Sequence, residues 1–210
     1  ALPRSRFIGS AMRMTPDAIG KELHVLDSAG HVLRSIAVGG GRYRADQPGG
    51  GRVRVATSPD GRIWSVPEAR YVLQRWDTAG RLLQSLERQV EWFHVSDTLY
   101  VPSESRPPAP FVGDLLVDGA GRLWVLLHVP ASNWRTATKW VDVDSSRRSF
   151  GRAPLYPERL FDQVVEVIDP THGTVLASTR TKTPLLRFSD EGTALAGRPL
   201  PNGAWFYELY

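Results

Sequence analysis

Residues Leu23-His24-Val25-Leu26-Asp27-Ser28-Ala29-Gly30-His31-Val32-Leu33-Arg34-Ser35-Ile36 align without gaps on Leu73-Gln74-Arg75-Trp76-Asp77-Thr78-Ala79-Gly80-Arg81-Leu82-Leu83-Gln84-Ser85-Leu86. A third copy, Val165 to Asp169 and then Gly173 to Ser178, matches with one residue inserted in the turn. Each copy reads as strand, Asp-x-x-Gly turn, strand. The Asp can accept hydrogen bonds from the turn backbone, and the Gly supplies the positive φ of a short hairpin. These Asp residues also suit metal ligation, but their recurrence at one turn position favours turn chemistry.

A second unit alternates with the first. Val53 to Thr57 and Ser58-Pro59-Asp60-Gly61-Arg62-Ile63-Trp64-Ser65-Val66 resemble Leu115 to Asp118 and Gly119-Ala120-Gly121-Arg122-Leu123-Trp124-Val125-Leu126. Leu185 to Phe188 and Ser189 to Ala196 make a weaker copy. Trp64 and Trp124 at equivalent places are expected in the core rather than as ligand platforms. Together the two units give a four-stranded antiparallel module. Repetition at this length is the signature of a β-propeller, because one twisted four-stranded sheet buries its faces only against neighbouring sheets. A β-sandwich has similar strand content, but does not normally repeat one turn sequence strand pair by strand pair.

The expected organisation is a single all-β propeller region over 1–210. It comprises a partial blade at 1–38, a full blade at 52–90, a full blade at 110–181 with a long insertion at 129–160, and a partial closing blade at 184–210. No stretch carries the 3.6-residue apolar period of a substantial helix.

Composition agrees. Gly (19) and Pro (16) supply many turns, which argues against a helical bundle, and 41% apolar with 23% charged residues argues against wholesale disorder. No apolar run reaches the ~18 residues of a membrane-spanning helix. Lys21, Lys139 and Lys182 are the only lysines among 26 basic residues, which stand against 22 acidic ones. This Arg-rich excess is scattered through turns and strands, not gathered in a basic face, so no nucleic-acid partner is expected. With no cysteine there is no disulfide, thiolate metal site or cysteine nucleophile.

The phrases Ser58 to Val66 and Trp76 to Leu86 resemble the blade signature of NHL-repeat and related six-bladed propellers. More narrowly, the chain is similar to uncharacterised bacterial six-bladed β-propeller proteins. The likeness lies in Glu91-Trp92-Phe93, in Asp118 to Val125, and in Val129-Pro130-Ala131-Ser132-Asn133-Trp134. That resemblance implies a periplasmic or extracellular location. At about 40 to 45 residues per blade, six blades need roughly 250 residues or more, and the chain holds about three and a half. It therefore reads as the C-terminal portion of such a ring, with N-terminal blades as its missing partner.

Candidate site residues are sparse. His24, His31, His94, His128 and His172 show no zinc spacing. His31 and His172 fall at turns, and His94 and His128 at strand ends near a propeller face or channel. Gly39 to Gly41 and Gly49 to Gly51 lack the helix and Gly-Lys-Ser/Thr ending of a phosphate loop. Arg42, Arg44, Arg52 and Arg54 beside them could attract an anion. The insertion holds Trp134, Arg135 and Trp140, and a second excursion from Trp92 to Pro110 is also aromatic and Pro-rich. Long loops on rigid scaffolds carry binding function, and Trp and Arg dominate binding hot spots. Trp92, Trp134, Arg135 and Trp140 are therefore the expected ligand-binding residues, with no metal or cofactor.

Two readings of function stand side by side. In the first, a non-catalytic scaffold binds a protein, peptide or glycan through loops on one face. In the second, a divalent-metal-dependent propeller enzyme, lactonase- or lyase-like, works in the central channel and needs ligands from several blades.

Overall fold

The computed structural model describes residues 7–15, 18–36, 53–94, 106–137, 140–141, 153–154, 159–189, 192–200 and 204–210. In these, β1 (Phe7–Thr15), β2 (Ala18–Leu26) and β3 (Val32–Ile36) form one antiparallel sheet. Next come β4 (Val53–Thr57), β5 (Ile63–Pro67), β6 (Val72–Trp76) and β7 (Leu82–Glu87), in sequential order. A third sheet holds β8 (Phe111–Val117) and β9 (Leu123–Pro130). Past a 3-10 turn at Trp134–Ala137 and a two-residue ladder of β10 (Trp140–Val141) and β11 (Ala153–Pro154), it resumes with β12 (Phe161–Asp169) and β13 (Thr174–Thr181). Its spatial order is β13-β12-β9-β8, so the insertion leaves the sheet between its second and third strands. Last come β14 (Leu185–Phe188), β15 (Ala194–Pro199) and β16 (Trp205–Leu209). The fold is all-β, built of four-stranded antiparallel propeller blades with three-stranded sheets at either end.

Strict alternation puts successive side chains on opposite faces, and both faces of the middle sheets are apolar. Ile63 and Trp76 pack with Leu23, Val25 and Ile36 of the first sheet. Trp64, Val66 and Leu73, on the other face, join Val112, Leu115, Leu123, Val125 and Ile168 of the third. Leu126 turns the opposite way, to Leu185 and Ala196 of the fourth. The core is thus three interfaces between stacked sheets. Contacts between sheets also run strand to strand, β4 beside β8 and β8 beside β14. Each of these is the first strand of its sheet, so they line one common inner edge.

The repeated turns explain the repeated sequence. Asp27, Asp77 and Asp118 each accept from the backbone N–H groups two and four residues on, at 2.8 to 3.0 Å. Gly30, Gly80 and Gly121 follow at φ of 80° to 84°. In the three Asp-x-x-Gly copies named first, a register shift falls in the strand just before the Asp, at Val25/Leu26, Arg75/Trp76 and Val167/Ile168. A bulge at the same place in three blades is a device of the fold, since it steepens the local twist. Trp64 is fully buried as expected, whereas Trp124 is half-buried and donates its indole N–H to Asp118 at 3.0 Å.

Candidate functional site

Strands that alternate in direction send their connections out at alternate ends. The short glycine turns therefore share one end of the stack. The β5–β6 turn, the excursion after β7 and the 129–160 insertion share the other. Two hydrogen bonds mark that second end: Val112 N–H to the Glu68 carbonyl at 2.8 Å, and Ala131 N–H to the Leu160 carbonyl at 2.9 Å.

A cleft of about 630 Å3 opens there, lined by Arg70, Tyr71 and Val72 on one side and by Glu87 to Val90, Glu91 and Phe93 on the other. Its base is fixed by a polar triad spanning two sheets. The Tyr71 hydroxyl donates to Glu166 Oε2 at 2.7 Å, and Arg88 reaches the same carboxylate at 3.2 to 3.4 Å. Glu166 is 3% exposed. Burial first, and then the adjacent Glu166 charge, push the Tyr71 hydroxyl far above its ordinary value, so it stays a donor. The Arg88 guanidinium also lies 6.0 Å from the Tyr71 ring centre. Opposite charges here neutralise each other, leaving a rigid, aromatic-edged base. Above it Arg70, Gln89 and Glu91 are exposed.

A second polar group lies along the inner edge. His128 is stacked on Phe111, with ring centres 4.3 Å apart and planes within 6°, and Phe161 meets both edge-on. The imidazole lies directly over the Gly113 backbone, where a Cβ would collide with it, which is why β8 carries glycine at its bulge. Gln163 Nε2 is 3.5 Å from His128 Nδ1. Arg54 pairs with Glu68 at 3.2 Å, and Asp114 Oδ2 accepts from the Phe188 N–H at 2.7 Å. Burial raises the Asp114 carboxyl. Burial and then the Arg54 charge push His128 down to about 4. Among the described residues no three His, Asp or Glu converge closely enough to hold a metal ion.

His128 makes a pH prediction. Between about 4 and its ordinary 6.5 the unfolded chain binds a proton that native His128 refuses. Stability therefore falls as pH drops through that window and levels off for this group below it. The raised Asp114 carboxyl acts in the opposite direction, and the lowered Asp27, Asp77 and Asp118 carboxyls lose their contribution only at more acid pH. Urea midpoints of the native chain and His128→Phe should diverge over this window. Parallel profiles would remove His128 as the cause.

No family model and no curated protein matches the chain. Among solved structures, a protein of unknown function from Bacteroides caccae is similar over 98% of this chain and 57% of its own, at TM-score 0.45 and 8% identity. A hypothetical protein from Leishmania major aligns over 98% and 63%, at 0.40 and 9%. Virginiamycin B lyase from Staphylococcus aureus aligns over 97% and 74%, at 0.35 and 9%. The chain spans about three-fifths of the first two of these chains.

Of the expected ligand residues, Trp92 is half-buried beside the cleft, edge-on to Phe93 and packed on the core between the second and third sheets. Trp134 is buried at the start of the 3-10 turn, and exposed Arg135 lies 5.0 Å from its ring centre. Trp140 pairs with Pro154, and its side chain lies outside the described residues. No ring contact joins Trp92 to Trp134 among the described residues. Of the four loop arginines, Arg54 belongs to the inner-edge group. Arg42, Arg44, Arg52 and both glycine triplets lie outside the described residues. His31 and His172 are exposed and paired with their turn aspartates, at 3.1 and 2.7 Å.

The Tyr71–Glu166–Arg88 triad was not marked out by sequence. Its one legible sign was Glu166, an acidic residue within the apolar strand Val164 to Ile168.

Proposed function

We propose that the chain is a non-catalytic scaffold, the C-terminal part of a six-bladed ring, that binds a peptide or glycan segment of its partner across the end bearing the long connections. One observation carries this reading: the 630 Å3 cleft, whose base is neutralised and fixed by Tyr71, Glu166 and Arg88. Its size suits a few residues of peptide or one to three sugar rings. Aromatic edges with forked Arg, Gln and Glu side chains suit the planar amides and hydroxyls of such ligands. Half-buried Trp92 and exposed Arg135 sit on connections leaving the same end and extend the surface, with Trp134 buried against Arg135. Under this reading the Glu166 carboxylate serves structure, since both its partners are occupied in holding sheets together.

Peptide and glycan arrays probed with the labelled chain test the proposal. Exposed cleft residues can be changed without disturbing the core, so Arg70→Ala, Gln89→Ala and Glu91→Ala are combined in one variant. Hits should weaken about tenfold or more in this variant, a loss of ~1.4 kcal/mol. Hits that survive it unchanged, or arrays without hits, would overturn the cleft as the site.

A further inference from the structure

We propose that Gln84 and Leu86 are positioning residues for the cleft: they clasp β7 to the β12–β13 turn and so hold the cleft wall at 87–93 in place. For a ligand this rests on the cleft reading above, whereas the clasp itself is read from two packed sheets.

The starting point is how β7 is supported. It is the outer strand of a complete four-stranded sheet, with β6 on one side and no described strand on the other. Alternation divides its side chains between two faces. Ser85 and Glu87 are exposed, whereas Gln84, Leu86 and Arg88 are half-buried. The last three all reach the third sheet. Gln84 Nε2 donates to the Pro170 carbonyl at 2.6 Å. Leu86 packs on the core between the second and third sheets, and its Cδ2 stands 3.3 Å from where a Cβ on Gly173 would be. Arg88 pairs with Glu166 at 3.2 Å. Spaced two residues apart, these side chains anchor one face of β7 to its neighbour. Gln84 and Leu86, unlike Arg88, lie outside the cleft lining.

The same clasp joins the first sheet to the second. Arg34 occupies in the first repeat the place of Gln84 in the second, and Ile36 that of Leu86. Arg34 Nη1 donates to the Thr78 carbonyl at 3.0 Å, and Ile36 Cγ1 stands 3.2 Å from where a Cβ on Gly80 would be. The targets correspond as well. Thr78 and Pro170 each follow the turn aspartate, and Gly80 and Gly173 each supply the bare backbone that the apolar side chain approaches. A match on both partners at two seams distinguishes this contact from an incidental surface hydrogen bond. The third repeat has Ala177 in the place of Gln84, and alanine has no side-chain donor. The clasp is therefore set by residue identity and not by the backbone alone.

The course of the chain carries its effect to the cleft. β7 ends at Glu87, and the residues that follow it form the cleft wall. Arg88 N–H donates to the Tyr71 carbonyl at 3.0 Å and Phe93 N–H to the Val90 carbonyl at 3.1 Å, so both amides report on that wall. Without the Gln84 bond, β7 swings about its ladder to β6 and carries the wall with it, widening the mouth.

Native-state hydrogen exchange of the 210-residue chain tests the clasp without a ligand. Gln84→Leu keeps the bulk and removes the donor. In it the Arg88 and Phe93 amides should exchange about fivefold faster, while amides of the β4–β5 ladder keep their native rates. Gln84→Arg installs the residue that the first repeat uses and should restore both amides. Acceleration of the β4–β5 amides by the same factor would mean that Gln84 supports only global stability, and unchanged rates throughout would mean that the wall needs no clasp. Either result overturns the proposal, as does a Gln84→Arg chain that exchanges like Gln84→Leu. An array hit lost in the triple cleft variant should also weaken in Gln84→Leu and recover in Gln84→Arg. A hit that binds native, Gln84→Leu and Gln84→Arg chains alike removes the positioning role. Hits that survive the triple variant count against the cleft as the site and leave the exchange result standing.

Discussion

Glu166→Ala is expected to lower the unfolding free energy by about 3 kcal/mol, near the lower end for breaking a buried ion pair. The carboxylate is the shared acceptor for the Tyr71 hydroxyl and the Arg88 guanidinium, and it is 3% exposed. Its removal leaves a buried phenol without an acceptor and a guanidinium without a counter-charge. Arg88 keeps 25% of its side chain in contact with solvent and can turn outward, which holds the loss below the upper end of the range. Glu166→Gln keeps an acceptor for Tyr71 and should lose less. For a chain of this size the alanine variant should melt on the order of 10 °C lower. Equal losses for Ala and Gln would show that the acceptor kept by Gln contributes nothing and that the whole loss comes from the charge.

Trp64→Ala should be the most damaging single truncation, at about 3–5 kcal/mol, because the vacated indole volume cannot be refilled between two packed sheets. Trp64 is 1% exposed and belongs to the core between the second and third sheets. The same substitution at Trp124 tests whether sequence equivalence means equal energy. Trp124 occupies the matching place one blade on, but it is half-buried, faces a three-stranded sheet and is tied to Asp118. A half-exposed indole recovers less on burial, so Trp124→Ala should cost about 1–2 kcal/mol. Urea denaturation of both variants measures the difference. Losses within experimental error of each other would mean that the outer face of the third sheet is sealed as tightly as its inner face.

Much of the fold was legible in the repeat. Asp27, Asp77 and Asp169 announced turns because the Asx hydrogen bonds and the positive-φ glycine are satisfied within five residues, so local sequence suffices. Repetition of a four-stranded module likewise announced sheets that bury their faces against one another. The site was less legible. Trp92 and the Trp134–Arg135 pair were marked by residue type and loop length. In the structure the two indoles are largely packed against their own surroundings, and residue type alone does not separate a ring that pins a loop from one that offers a face.

The triad and the His128 stack could not be read from sequence for a different reason. Tyr71 and Glu166 are 95 residues apart, and His128 and Gln163 are 35 apart. Such pairs meet only when sheets stack or the insertion closes. The raised Tyr71 hydroxyl and the lowered His128 follow from desolvation and from neighbouring charges, which are properties of the assembled interior.

By itself, then, the sequence determined the strands and their turns, because each is set by contacts a few residues apart. Tertiary structure alone decided which strands line the inner edge and which polar groups meet beneath the cleft. Those are set by stacking separate sheets, which leaves no periodic trace in the chain.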